Sequence, residues 1–491
     1  IVLVREGEKV SLSAELVLTA GGANSRNTAA FTLRGDYDLK KKETKLTLGF
    51  ADLNPVIFAP LSEKLKLLKS FDLPLSGTLD TVVLTDGEIR KFEFNLTSSN
   101  GRITSNDLVN IDVAIQTSKI RGDYDQATGR LNIQELVMDL GPDGRLKLPA
   151  PIDHEWALQK ISLAGTYDSE IDRLELKVTH GESGDLILRN GHIVLVREGE
   201  KVSLSAELVL TAGGANSRNT AAFTLRGDYD LKKKETKLTL GFADLNPVIF
   251  APLSEKLKLL KSFDLPLSGT LDTVVLTDGE IRKFEFNLTS SNGRITSNDL
   301  VNIDVAIQTS KIRGDYDQAT GRLNIQELVM DLGPDGRLKL PAPIDHEWAL
   351  QKISLAGTYD SEIDRLELKK IRLDSAGPTL KASAIVQEIG GNISFKLSGE
   401  ARDLKIEQAK ELWPKGWGEV VRGWIIKNMS DGFVPVARAK MKGHYSRTKG
   451  VKIISLLGDM DIRNLTVDYF APMPKVTKGS GRAKFDRKHF E

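Results

Sequence analysis

The sequence predicts a mainly β protein: an elongated, curled antiparallel sheet, groove-like or solenoid-like, with a few short helices at its rim. Three observations predict it. Apolar and polar residues alternate along most of the chain, the pattern of strands with one buried face. A long segment repeats with no spacer between its copies, as stacked sheet units do. Helix signals are confined to short stretches.

The alternation is explicit from the start. Val10, Leu12, Ala14, Leu16, Leu18 and Ala20 alternate with Ser11, Ser13, Glu15, Val17 and Thr19. Ala29, Phe31 and Leu33 alternate with Ala30, Thr32 and Arg34, and Leu46, Leu48 and Phe50 follow the turn Lys40-Lys41-Lys42-Glu43. Phe92, Phe94 and Leu96 alternate with Lys91, Glu93 and Asn95. Ile111, Val113 and Ile115 continue the pattern, as do Ile161 and Leu163, then Leu174 and Leu176. Successive side chains of a strand point to opposite faces, so each run has one greasy face and one wet face.

Residues 1–177 recur at 193–369 without one substitution, an offset of 192. The copies part at Val178-Thr179-His180 against Lys370-Ile371-Arg372. Perfect identity points to a deliberate or very recent duplication. The bridge from Val178 to His192 holds one turn-like patch, His180 to Asp185, and then the strand-like Leu186-Ile187-Leu188. Three segments follow: a β-groove unit at 1–192, its second copy at 193–369, and a further β-groove segment at 370–491 with a helical insertion near 405–430. Identical sequence predicts identical structure in the two copies, stepped along one sheet. A smaller echo lies inside each unit. Gly35-Asp36-Tyr37-Asp38, Gly122-Asp123-Tyr124-Asp125 and Gly165-Thr166-Tyr167-Asp168 each close a strand, with Gly443-His444-Tyr445-Ser446 as a fourth version.

Helix signals are two. Asn54 can cap and Pro55 suits a first helical position, and Ile57, Leu61, Leu65 and Leu68 follow at helical spacing, broken at Pro60. A second patch covers Ile406 to Leu412 and Trp417 to Met429, with Gly432 as its stop.

Composition excludes several classes. Lys plus Arg number 68 and Asp plus Glu 67, which leaves no basic excess for nucleic acid. Cysteine is absent, which removes disulfides and thiolate metal sites. No apolar run approaches the length of a bilayer span, and no secretory leader is evident. The chain opens in the strand-like Ile1-Val2-Leu3-Val4 and stops soon after another near Phe485, so it reads as an internal fragment.

Catalytic candidates are weak. Asp153-His154-Glu155 and its copy Asp345-His346-Glu347 offer adjacent ligand types that diverge on a strand, with no third ligand. Arg121-Gly122-Asp123 reads as a turn inside the hairpin motif, and Lys40-Lys41-Lys42 as a solvated hairpin tip. Trp413, Trp417 and Trp424 read as anchors of a helix on the sheet. No phosphate loop, nucleophile elbow or carboxylate pair appears. The reading is a protein without catalytic residues, cofactor or metal.

The runs Asp52-Leu53-Asn54-Pro55 and Asp72-Leu73-Pro74-Leu75-Ser76-Gly77 resemble the AsmA-like envelope proteins, in particular the large YhdP-type members. Leu412-Trp413-Pro414, Arg422-Gly423-Trp424, Asn428-Met429-Ser430-Asp431-Gly432, and Leu465-Thr466-Val467-Asp468-Tyr469 with Met473-Pro474 look like the same group. The resemblance covers most of the chain, through turns and helix caps. It departs from the family in the perfect duplication and in having no N-terminal anchor. It implies a bridge-like lipid transfer protein in the periplasm of a Gram-negative bacterium. Its anchor would lie in the inner membrane, in parts absent here, and it would serve outer-membrane biogenesis. Its partners would be phospholipid or another acyl-chain lipid and the membrane, with no nucleic acid.

On that implication the apolar residues of the alternating strands line a lipid groove. They are Leu12, Leu16, Leu18, Phe31, Leu33, Leu46, Leu48, Phe50, Phe92, Phe94, Leu96, Ile111, Val113, Ile115, Ile161 and Leu163, with Phe223, Leu225, Leu238, Leu240, Phe242, Phe284, Phe286 and Leu288 in the second copy. Thr32, Thr47, Glu93 and Asn95 face water. The alternative is a structural or adhesive β-repeat spacer with a dry packed core; a hydrolase acting on envelope polymers is a weaker third reading.

Overall fold

The computed structural model describes the chain except residues 20–27, 62, 86, 106–110, 148–154, 184–185, 213–218, 254, 277–280, 298–302, 341–345, 390–392, 412, 414–417, 447–449, 471, 488 and 490. Strand accounts for 74% of the residues and helix for 8%, and 29 strands form one antiparallel sheet that is open rather than closed into a barrel. A separate two-stranded hairpin pairs Arg145–Lys147 with Glu155–Ala157. The fold class read from alternation is therefore the observed one. The chain divides into two units, Ile1–Leu240 with Val274–Glu280, and Gly241–Thr273 with Ile281–Glu491. That boundary runs through the second copy of the repeat.

Within the first unit the strands follow the alternation closely. Lys9–Thr19 pairs with Thr28–Asp38, setting Leu12 opposite Gly35, Ala14 opposite Leu33 and Leu16 opposite Phe31. The equivalent strands Lys201–Ala212 and Asn219–Asp230 repeat that register, with Leu204 opposite Gly227 and Leu208 opposite Phe223. Register is pinned because a one-residue slip would turn every apolar side chain to the wrong face. The seam between copies is itself a hairpin: Arg173–Ser183 pairs with Leu186–Glu198, Val178 opposite Gly191. His180 to Ser183, turn-like in sequence, belong to the strand.

The copies differ where their neighbours differ. In the second copy His346–Asp360 is one unbroken strand. In the first the same sequence is split into Glu155–Ala157 and Lys160–Asp168. Leu350 of the long strand pairs with Ser375, a residue beyond the point where the copies diverge, so the longer ladder follows from the changed partner.

Each Gly-x-Tyr-x run ends a strand, at Asp38, Asp125, Asp168 and Ser446. The final aspartate then caps the turn. The Asp38 carboxylate accepts from the backbone N–H of Lys40 at 2.9 Å and of Lys41 at 3.1 Å, and Asp125 accepts from Thr128 at 3.1 Å. This is the local side chain-to-backbone bonding that makes Asp a turn residue. Arg121-Gly122-Asp123 lies in strand rather than turn, at a bulge between Arg121 and Gly122.

The helical segments lie where their spacing placed them, and the first two are tighter than α-helix. Pro55–Leu61 and Glu63–Ser70 are 3₁₀ turns, two pieces as the break at Pro60 implied. The Asn54 side chain caps the first, accepting from Val56 N–H at 3.1 Å while donating to Asp72 at 2.7 Å. Helix α1 spans Ile406–Glu411 and α2 spans Glu419–Asn428. The stop is Asn428, whose amide donates to the Trp424 carbonyl at 2.8 Å, not Gly432. Gly432 instead permits close packing, because a Cβ there would sit 2.6 Å from Leu465 Cδ1. Trp413 lines the space between these helices and the sheet, Trp424 is exposed, and Trp417 lies outside the described residues.

Candidate functional site

Paired residues of an antiparallel ladder point to the same face, so the registers can be followed from strand to strand. In the first unit one such row runs Ala14, Leu33, Leu48, Leu79, Phe94, Gly122, Ile133, Gly165, Leu176, Ile193, Ala206 and Leu225. Twelve successive ladder positions carry no polar side chain. The next row runs Leu16, Phe31, Phe50, Gly77, Leu96, Ile120, Leu136, Leu163, Val178, Gly191, Leu208 and Phe223, again without a polar side chain. On the other side of the first row, Leu12, Gly35, Leu46, Thr81, Phe92, Tyr124, Leu131, Tyr167, Leu174, Leu195 and Leu204 are broken only by one threonine. Thr81 spends its hydroxyl on the Lys91 carbonyl at 2.9 Å. A fourth row includes Ser98 and Ser118, which satisfy each other at 2.7 Å.

The second unit has the same rows. Phe286, Gly314, Ile325, Gly357, Leu368, Ala384, Leu397, Met441 and Leu456 form one. Phe284, Tyr316, Leu323, Tyr359, Leu366, Val386, Phe395, Gly443 and Ile453 form its neighbour. The rows therefore continue past the repeat, into residues 370–491.

The glycines in these rows are places where a neighbour's large side chain lies flat. A Cβ on Gly122 would meet Phe94 Cζ at 2.7 Å and the Asn132 carbonyl oxygen at 2.2 Å. Gly314 and Phe286 repeat this, and a Cβ on Gly443 would meet Phe395 Cζ at 2.7 Å. Phe92 in turn packs on Tyr124, ring centres 5.3 Å apart. The Gly-x-Tyr spacing thus places a gap and a ring on the same face, two residues apart.

Most row residues are half-buried rather than buried. Their cover comes from row neighbours. Among the described residues no second sheet is packed over them. Closed clusters occur where the small elements lie. Phe31, Phe50, Ala29 and Leu53 pack under Ile57 and Phe58 of the first 3₁₀ turn. Ile406, Val434, Ile462 and Leu465 form the core beneath α1.

The sequence-derived lining residues fall into two groups. Leu12, Leu16, Phe31, Leu33, Leu46, Leu48, Phe50, Phe92, Phe94, Leu96, Leu163, Phe223, Leu225, Phe284 and Phe286 stand in the rows given, and Leu288 in a further row with Ile312. Ile161 joins the fourth row opposite Met138. Leu238 lies over Gly227, Leu240 is half-buried and Phe242 is buried. Val113 and Ile115 are placed differently. They have the other parity from Gly122 and Tyr124 on their strand, and they are buried in a cluster with Leu140, Ile103 and Leu158. The side chains of Leu18 and Ile111 lie outside the described residues, as do Asp153, His154 and Asp345. The rows' unity was missed by sequence reasoning because it depends on which strands pair. The Gly-x-Tyr motifs were the available signal.

The opposite face carries charge in complementary cross-strand pairs. Arg130 meets Asp168 at 2.8 Å, Lys119 meets Glu135 at 2.8 Å, and Thr47 donates to Asp80 at 2.5 Å. The hydrogen bond from Arg130 holds the Asp168 carboxyl below its ordinary range, and that from Lys119 does the same for Glu135. These exposed pairs define the wet face.

The arrangement offers an apolar strip about four rows wide, roughly 20 Å at ~3.4 Å per residue. It crosses the strands and meets an apolar side chain about every 4.8 Å. No helix among the described residues is long and apolar enough to cross a membrane. No family model and no curated protein matches this chain.

Proposed function

We propose that this chain is a segment of a bridge-like protein that carries phospholipid, or another acyl-chain lipid, along its apolar face between the inner and outer membranes of a Gram-negative envelope, without catalysis. One observation supports this reading above others: the apolar rows run across the strands without a charged side chain, over twelve ladder positions in the first unit and nine in the second. A packed-core spacer needs apolar residues only where layers meet. Here the rows persist where no layer among the described residues covers them. An acyl chain gains about 0.8 kcal/mol for each buried CH₂, and a row of similar side chains holds it equally well at every step. The resemblance to AsmA-like proteins agrees with this, and it supplies the periplasmic, inner-membrane-anchored setting.

The test blocks one rung. Leu48→Asp sets a carboxylate between Leu33 and Leu79 in the row, and an unpaired charge on an apolar surface costs several kcal/mol to cover with lipid. Ser13→Asp is the control, because Ser13 is exposed and faces Arg34. Thr47 is unsuitable, since a carboxylate there would face Asp80. Co-purified phospholipid is measured by mass spectrometry, and lipid transport in cells is measured at matched protein levels. Loss of both in Leu48→Asp alone supports the conduit. Equal behaviour of the two variants, or no lipid on the unaltered protein, sinks it. Unfolding of Leu48→Asp with no lipid bound to the parent chain favours the spacer.

A further inference from the structure

The polar face of the second unit departs from the charge pairing seen in the first. A hollow of 1260 Å³ opens on it, with a neighbouring one of 590 Å³. A twisted sheet is saddle-shaped, so each face is concave along one diagonal. The carboxylates lining these hollows are already taken by arginines. Glu367 meets Arg365 at 3.3 Å, Glu400 meets Arg402 at 2.6 Å and Arg438 at 3.0 Å, and Asp459 meets Arg438 at 3.6 Å.

Lysines remain in excess. Lys370, Lys381, Lys396, Lys440, Lys442 and Lys484 line the hollows, are exposed, and have no carboxylate partner among the described residues. Lys396 and Lys442 are direct cross-strand partners, a like-charge pairing that destabilises a sheet. Lys369 and Lys370 together stand against Ser383 at a bulge, which crowds two ammonium groups into one ladder position. The corresponding strand of the first copy has no such cluster: it reads Val178-Thr179-His180 where the second reads Lys370-Ile371-Arg372. The clustering therefore begins where the copies diverge. In the first unit several basic side chains of the wet face meet acidic ones, as in Lys119 with Glu135 and Arg130 with Asp168.

We propose that this hollow docks an extended acidic segment of a partner polypeptide. The lysines lie on five of the six successive strands from Arg365–Ser375 to Val476–Asp486, all but Gly450–Val467, and those six strands span roughly 24 Å at about 4.8 Å per strand. A lone phosphate would engage two of these lysines and leave the rest unpaired. A bilayer surface is flat and would meet the rim of a hollow rather than its floor. An extended chain of about seven residues matches the span and brings carboxylates down between the lysines. Small residues at the floor, Ser383, Ser398 and Gly399, leave room for its backbone.

The experiment uses the whole chain and a fluorescent oligo-glutamate peptide long enough to cross six strands, followed by anisotropy. The Lys396→Glu, Lys442→Glu double variant weakens binding by about tenfold or more. Lys40→Glu with Lys41→Glu, the same charge change at an exposed hairpin tip, leaves it within about twofold. Equal weakening in both overturns the proposal, because binding would then follow net charge alone. Should circular dichroism show the first variant unfolded, Lys396→Gln with Lys442→Gln replaces it, and unchanged peptide affinity in that variant also overturns the proposal. A third arm uses vesicles of phosphatidylcholine and phosphatidylglycerol in equal parts. Vesicle binding that needs Lys396 and Lys442, without peptide binding, would show that the occupant is a lipid surface and the proposal is wrong.

Discussion

Glycine and aspartate do the local shaping of this sheet, and for different reasons. Gly122 is required by space: its φ is not in the left-handed region, but a Cβ would strike a carbonyl oxygen at 2.2 Å and a phenylalanine ring. Gly122→Ala therefore destabilises the chain by roughly 1–3 kcal/mol, the usual cost of overpacking. Gly481→Ala, with nothing within 4 Å, stays near neutral; urea unfolding of the two variants checks this. Aspartate acts through its charge. The Lys41 and Lys40 N–H groups hold the Asp38 carboxyl below its ordinary range, and Arg130 does so for Asp168. A lowered folded-state pKa contributes stability above the unfolded value, near 4, and loses it as pH falls through the folded value. The melting temperature accordingly falls as pH drops below about 4. In Asp168→Asn the decline is shallower, and thermal scans from neutral pH downward would show it. The serine pair gives a third case. Ser98→Ala leaves the half-buried Ser118 hydroxyl unmatched and costs about 1 kcal/mol, whereas Ser98→Ala with Ser118→Ala is close to neutral, a non-additivity that a double-mutant cycle reads directly.

At the scale of elements, the short helical pieces hold the apolar face at particular points. The 3₁₀ turn Pro55–Leu61 presses Ile57 and Phe58 onto Phe31 and Phe50. Its entry depends on Asn54, which serves as cap and as a tie to Asp72. Asn54→Ala loses both and costs about 1 kcal/mol, as cap removals do. The same change at Asn246, which makes the same bonds to Val248 and Asp264, should cost a similar amount, and the pair should be additive because the sites are far apart in sequence and share no partner. Hairpins carry the rest of the elements. The capping aspartate at each Gly-x-Tyr-Asp end fixes where the chain reverses, and the next strand then enters in the register its apolar residues need.

The whole molecule is an open sheet whose apolar face lacks a covering layer among the described residues. Native protein of this kind should bind an apolar dye such as anilinonaphthalene sulfonate while its far-ultraviolet spectrum remains that of folded β-sheet. Fatty acid should then displace the dye competitively. Failure to bind dye, with the sheet intact, would mean that the rows are sealed against each other and would count against a lipid surface. Monomeric soluble proteins rarely leave so large an apolar area exposed without using it.

Alternation alone determined that this chain is a sheet with one greasy face and one charged face, because side-chain direction in a strand depends only on local parity. It also placed Leu33, Leu48 and Phe94 on the greasy face, and the identity of residues 1–177 with 193–369 implied the shared registers. Val113 and Ile115 have the other parity from Gly122 on their strand, and the structure packs them in a closed cluster with Leu140 rather than in the rows. Helical spacing located two pieces about Pro60 but did not show that both, Pro55–Leu61 and Glu63–Ser70, are 3₁₀ rather than α. Only the tertiary structure decided that Leu33, Leu48, Leu79 and Phe94 form one row, since that depends on hydrogen bonds between strands up to dozens of residues apart. Only it brought Lys396 against Lys442, because the charge of a surface is a sum over neighbours, and a sequence states the terms of that sum without stating which of them are adjacent.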